Sequence, residues 1–184
     1  MSDATLSSIF CPATLGWPLP DCGPEGPSAE EQRAVLSALK QTRIDWTVMG
    51  RHLAFDGECY LRRRLFLNRS WEILMLCWLP GQETAIHDHG DSWGSTLVLM
   101  GELTERAYRV PARGPLELKT EAALATGQVT VESQQTVHEV ANRSHTPAVS
   151  LHLYSPPLRF LHAYDAETAE KRYIEPAESR FCTR

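Results

Sequence analysis

Gly81-Gln82-Glu83-Thr84-Ala85-Ile86-His87-Asp88-His89-Gly90-Asp91-Ser92-Trp93-Gly94-Ser95-Thr96-Leu97-Val98-Leu99-Met100-Gly101 is the stretch on which the reading of this chain turns. It opens and closes on glycine, carries two histidines at i and i+2, and ends in an apolar run of strand length. Side chains at i and i+2 of a strand share a face, so this spacing presents His87 and His89 to a single metal ion. His-x-His alone is a weak signal, and the surrounding chain has to carry the argument.

Working outward, short apolar or alternating runs separated by turn residues begin at Cys59, the pattern of an all-β sandwich or barrel. The expected strands are Tyr60 to Leu67, Trp71 to Leu79, Ser95 to Met100, Leu103 to Val110, Leu116 to Thr120, Gln128 to Glu132, Val137 to Val140 and Ala148 to Tyr154. In the last of these Val149, Leu151 and Leu153 face one way, and Ser150, His152 and Tyr154 form a polar row on the other face. Upstream, Ser28 with Glu31 reads as a capping box opening a helix that buries Val35, Leu36 and Leu39 and ends near Gln41; a second short helix is expected at Ile44 to Met49. Residues 1–27, rich in Pro and Gly, read as an irregular arm. The expected organisation of residues 1–184 is one domain: arm 1–27, helical segment 28–58, and a β-barrel with a C-terminal extension over 59–184.

Composition narrows the function class. A net charge of -5 lacks the basic footprint of a nucleic-acid binder. The longest apolar run, Trp71 to Pro80, contains Glu72 and is too short to span a bilayer, so no membrane role is expected. No Lys or Arg precedes Arg33, which leaves a signal or transit peptide without its basic region. Cys11, Cys22, Cys59, Cys77 and Cys182 show neither CxxC spacing nor disulfide-framework density, and reduced thiols in a cytoplasmic protein are the simplest reading. Cys77, inside an apolar run, reads as a buried inert thiol, and Trp78 as packing.

The spacing Gly81, His87, His89, Gly94, Gly101 resembles the first motif of the cupin superfamily, and Gly127, Ser133, Gln135, His138 and Asn142 resemble the second, with Ser and Gln in place of the usual Pro and Gly. The resemblance implies a mainly β fold, a small antiparallel jelly-roll-like barrel, with His138 as third ligand. Gly94 stands where the first motif normally has Glu, so three neutral imidazoles and no carboxylate would hold the ion. Imidazole suits iron, zinc, nickel and copper alike, and the ligands alone do not name the metal. His52, His145 and His162 have no comparable partners and are read as ordinary core or surface histidines.

Ile86 to Ser92, Leu74 to Trp78, Val137 to Val140 and above all Ser144-His145-Thr146-Pro147-Ala148-Val149-Ser150-Leu151-His152-Leu153-Tyr154-Ser155-Pro156-Pro157 resemble the cysteine dioxygenase family. That resemblance implies an iron-dependent thiol dioxygenase of cysteine catabolism. Fe(2+) would be held by His87, His89 and His138, and L-cysteine and dioxygen converted to cysteine sulfinate. Tyr60 and Arg62 match the family's Tyr-x-Arg pair, with Arg62 expected to hold the substrate carboxylate, since a guanidinium pairs a carboxylate bidentately. Ser150, His152 and Tyr154 match its hydrogen-bonded row, His152 orienting the Tyr154 phenol. The resemblance also points to a cis Ser155-Pro156 bond. Gly94 replaces the cysteine that crosslinks to the corresponding tyrosine in animal members, which implies no crosslink here and a bacterial source. A register slip would aim Arg63 inward instead of Arg62; Arg62 is preferred, with Arg63 and Arg64 solvated or structural. The expected partners are small molecules alone, acting on a monomer. Two rivals remain: a 3-mercaptopropionate dioxygenase, and a metal-binding or ligand-sensing cupin without catalysis.

Overall fold

The computed structural model describes residues 16–176. Helix α1, Ala29–Gln41, begins at the expected capping box: the Glu31 N–H donates to Ser28 Oγ and the Ser28 N–H to Glu31 Oε2 at 2.7 Å. Val35 and Leu39 are its buried residues. The second helix, α2, covers Trp46–Met49 rather than starting at Ile44, because Asp45 Oδ1 accepts the Thr47 N–H at 2.9 Å in an N-terminal turn; a 3₁₀ turn, Gly50–His52, follows.

Ten strands follow: β1 Leu61–Leu67, β2 Glu72–Trp78, β3 Trp93–Met100, β4 Glu102–Arg109, β5 Glu117–Ala125, β6 Val129–Glu132, β7 Val137–Ala141, β8 Ala148–Ser155, β9 Leu161–Tyr164 and β10 Lys171–Ile174. One sheet has the order β1-β2-β8-β3-β6, a second β5-β4-β7, and β9 pairs with β10, every pair antiparallel. His87 bridges to His138 of β7 and to Ala163 of β9, which ties the smaller groups into one layer. The expected barrel is thus a two-layer jelly roll whose sheets do not close on each other by continuous pairing among the described residues. No helix among these residues is long and apolar enough to cross a membrane.

The five-stranded sheet is covered on both faces. Val149, Leu151 and Leu153 of β8 pack with Ile73 and Met75 of β2 and with Val35 and Leu39 of α1, whereas Leu74 and Leu76 face Leu103, Leu124 and Val140 across the two layers. Double coverage is why every residue of β2 and β8 is buried. Burying the three leucine and valine side chains of β8 contributes on the order of 2 kcal/mol each from apolar area alone.

The described part of the arm is irregular, as expected, and it is pinned to the β1–β2 connection and to the end of α1. The Trp71 Nε1–H donates to the Pro20 carbonyl at 2.7 Å, the Cys22 N–H to Ser70 Oγ at 3.0 Å, and the Trp17 Nε1–H to Thr42 Oγ1 at 2.9 Å. Residues 1–15, with Cys11, and 177–184, with Cys182, lie outside the described residues. The Ser155-Pro156 bond is cis.

The structure departs from the sequence reading at further points. Strand β5 runs to Ala125 rather than Thr120: Glu121 to Ala125 have helix-favouring composition, but cross-strand pairing from Arg106↔Glu121 to Glu102↔Ala125 overrides it. The β9–β10 hairpin was not expected, since four-residue strands with little apolar content leave no periodic signal. Cys59 is disulfide-bonded, contrary to the reduced-thiol reading, while Cys22 and Cys77 are free. Spacing rules detect local thiol pairs and miss those made by the fold. Cys77 is buried as expected, and burial raises the pKa of its thiol.

Candidate active site

His87 and His89 do not lie on a strand, as the i, i+2 argument assumed, but in the connection from β2 to β3. His87 is held extended by its bridge to β7, with the His87 N–H donating to the His138 carbonyl at 2.8 Å and the His138 N–H returning at 2.9 Å. Gly90, at φ +55, turns the chain immediately afterwards, and a Cβ there would lie 2.8 Å from the Phe160 ring. Between the two histidines, the Asp88 carboxylate accepts from the His162 N–H at 2.9 Å, the Gly90 N–H at 3.0 Å and the Tyr164 hydroxyl at 2.8 Å. Burial pushes its pKa up, and these donors outweigh burial and hold it below the usual value. His162, read as an ordinary core or surface histidine, places Nδ1 3.0 Å from Asp88, so Asp88 fastens the His-x-His segment to β9.

His87, His89 and His138 come together as the sequence predicts, with ligand atoms all within 4.8 Å of one another. His87 Nδ1 lies 2.9 Å from the Ala85 carbonyl, and His138 Nδ1 lies 2.6 Å from Glu105 Oε1. Both partners only accept, so these nitrogens carry the protons and the Nε2 lone pairs are left for a metal. Burial, then His138, lowers the pKa of His87 to about 3 and that of His89 well below its ordinary value, which keeps both rings neutral. His89 Nε2 lies 3.3 Å from His138 Nε2. Neutral nitrogen donors converging at this distance, with two outer nitrogens spent on acceptors, fit a divalent transition-metal ion. Glu105, Glu132 and His138 form a second close group, but the Glu105 bond to Nδ1 makes that carboxylate a support for the His138 ring.

Arg62, Tyr60, His87, His138, His152 and Tyr154 line one small cavity of about 40 Å³, whose remaining wall is largely leucine. In the register Arg62↔Leu76 and Leu76↔Ser150, Arg62 shares a cross-strand row with Ser150 on the inner face. Arg62 is the arginine in the cavity wall; Arg63 donates to the His52 carbonyl at 3.0 Å and Arg64 pairs with Glu72 at 2.9 Å, both structural as expected. Tyr60 stacks on Trp78 with centroids 4.3 Å apart. Burial raises the phenol pKa of both Tyr60 and Tyr154, so both hydroxyls stay protonated.

The row Ser150, His152, Tyr154 is buried. Ser150 Oγ lies 2.8 Å from His152 Nε2, and the Tyr154 oxygen 3.4 Å from His152 Nδ1, with the Tyr154 ring 5.3 Å from that of His89. Trp78, read as packing, also donates its Nε1–H to Ser150 Oγ at 2.9 Å. Gly94 pairs with Tyr154 across β3 and β8, and a Cβ on it would lie 3.1 Å from the Tyr154 ring and 2.7 Å from Glu132 Oε2. Sequence reasoning missed Glu105, Asp88, Thr96 and Glu132. Glu105, Thr96 and Glu132 are ordinary polar strand residues until the sheets bring them to a histidine, and no local pattern marks them; Asp88, flanked by two expected ligands, could have been singled out.

A two-layer jelly roll with three imidazoles converging beside a cavity is a cupin with the makings of a metal centre. The chain belongs to the cysteine dioxygenase type I family, whose model matches residues 27–167. It is 36% identical over 152 residues to the cysteine dioxygenase type 1 of Bos taurus, covering 80% of this chain and 74% of the relative. Among solved structures, a Thermus thermophilus protein superposes with TM-score 0.51 at 25% identity, covering 59% of this chain and 93% of that one. A Klebsiella pneumoniae protein with a double-stranded β-helix domain gives TM-score 0.51 at 14% identity over 68% of this chain and 86% of its own, a likeness of fold.

Proposed function

We propose that the protein oxidises L-cysteine with dioxygen to cysteine sulfinate, using Fe(2+) held by His87, His89 and His138. The observation that carries this reading is Arg62, only 9% exposed, in the wall of the same small cavity as His87 and His138. A guanidinium there suits one end of a small amino acid, pairing its carboxylate through two parallel N–H donors. The other end, with its thiol and amine, would then face the ion that His87, His89 and His138 would hold. A divalent ion held by these imidazoles would keep its full charge, which would favour the thiol as thiolate and the amine as free base. Ferrous iron, when bound, would supply the redox chemistry for the transfer of dioxygen to the sulfur. Both oxygen atoms end on the sulfur. The Tyr154 phenol, kept protonated by burial, serves as a hydrogen-bond donor toward the ligand, and His152 and Ser150 hold it in place.

Oxygen uptake by the iron-loaded protein, with L-cysteine and 3-mercaptopropionate in parallel and product identified by mass, tests this reading. Sulfinate from cysteine with weak turnover of the analogue is the expected result. Arg62→Met should raise KM for L-cysteine about 30-fold, the worth of a charge-assisted pair. Preference for 3-mercaptopropionate would overturn the assignment of Arg62, and no uptake of either thiol by protein shown to hold iron would leave a metal-binding cupin without catalysis.

A further inference from the structure

The row Ser150, His152, Tyr154 does not end where the sequence suggests. On the far side of His152, Thr96 Oγ1 lies 3.0 Å from Nδ1, nearer than the Tyr154 oxygen at 3.4 Å, and the Thr96 hydroxyl donates to Glu132 Oε1 at 2.9 Å. The register explains the contact: Thr96 pairs with His152 across β3 and β8, and Gly94 pairs with both Tyr154 and Glu132. Glu132 is 1% exposed, and Thr130 also donates to its Oε1, at 3.1 Å.

Counting protons along this chain gives it a direction. Trp78 Nε1–H can only donate, so Ser150 Oγ accepts there, and the single Ser150 proton is left for His152 Nε2 at 2.8 Å. His152 is neutral, since burial and then His138 lower its pKa to about 3, and it therefore has one ring proton, which falls on Nδ1. Nδ1–H donates to Thr96, whose own proton goes to Glu132 Oε1; that oxygen accepts whether or not Oε2 carries a proton. The reverse tautomer would leave the Ser150 proton without an acceptor among the described residues, at a cost of about 1–3 kcal/mol for a buried donor.

We propose that Thr96 and Glu132 are positioning residues that lock His152 in its Nδ1–H form, so that the Tyr154 phenol cannot donate to His152 and turns its proton into the cavity. A lone pair on Nδ1 would draw the phenol proton away from the ligand; a proton on Nδ1 excludes that bond. His152 thus orients Tyr154, as the resemblance implies, without accepting its proton. The inference deepens the proposed function, because it rests on Tyr154 meeting the ligand in this cavity, but its first test needs no turnover.

Full-length protein labelled with nitrogen-15 histidine and loaded with zinc as a diamagnetic ion gives the tautomer directly, with the His152 resonances assigned by their loss in His152→Gln. The expected spectrum has Nδ1 protonated and Nε2 unprotonated; a proton on Nε2 overturns the proposal and leaves the dioxygenase reading intact. In the iron-loaded enzyme Thr96→Val should lower kcat about 10-fold with KM nearly unchanged, the size usual for outer partners of a metal site. The Thr96→Val spectrum should show the two tautomers mixed. Thr96→Ser, which restores the hydroxyl, should recover both spectrum and kcat. A Thr96→Val protein with unchanged spectrum and kcat, or a Thr96→Ser protein no better than Thr96→Val, would assign Thr96 to packing and refute the lock.

Discussion

At the scale of single residues, the site depends on where protons are parked. Glu105 accepts from His138 Nδ1 at 2.6 Å while the Ala85 carbonyl does the same for His87 at 2.9 Å, and these two acceptors turn the Nε2 lone pairs inward. Glu105→Gln keeps the shape and removes the charge, and it should weaken binding of a divalent metal ion about 10-fold, read by competition with a chelator. Unchanged affinity would mean that backbone placement alone orients the His138 ring. His89 has no such acceptor for its buried Nδ1 among the described residues, which makes Glu105 the anchor of the opposing ring. From sequence, all three histidines could be picked out because their spacing is local to two motifs, whereas Glu105 could not, because it reaches His138 across the β4–β7 pairing 33 residues away.

At the scale of elements, β3, β6 and β8 meet at a glycine. Gly94 leaves room for Glu132 Oε2 and the Tyr154 ring, and a Cβ would come within 2.7 Å of the first and 3.1 Å of the second. Glu132 cannot swing away freely, since Thr96 and Thr130 both hold Oε1. Gly94→Ala should therefore destabilise the fold by about 1–3 kcal/mol through overpacking, seen as a lower urea midpoint. An unaltered midpoint would show that the β6 end yields easily. Strand β8 was legible because its alternation is regular, Val149, Leu151 and Leu153 against Ser150, His152 and Tyr154. The β9–β10 hairpin was not, and with it the sequence reading lost the partner of Asp88.

At the scale of the whole molecule, the five-stranded sheet lies between α1 and the second layer, and this double coverage buries the polar row as thoroughly as the leucines beside it. Stability against pH follows. Burial of His152 moves its pKa from 6.5 to about 3, so between these values the unfolded chain binds a proton that the folded protein refuses, and stability falls as pH falls. His152 alone should remove about 2 kcal/mol between pH 7 and pH 5 in metal-free protein. Urea unfolding at the two pH values checks this, with His152→Gln expected to show a smaller loss and an equal loss refuting the assignment. By itself the sequence determined the strand pattern, the capped helix, the three histidines, the Tyr-x-Arg pair and the polar row, because each is written in local periodicity or in a short motif. Only the tertiary structure decided which groups face each imidazole, that Asp88, Glu105, Thr96 and Glu132 stand around the histidines, and that Cys59 is disulfide-bonded. The hydrogen bonds among them join residues far apart in the chain, and such a bond leaves no trace in the spacing of either partner.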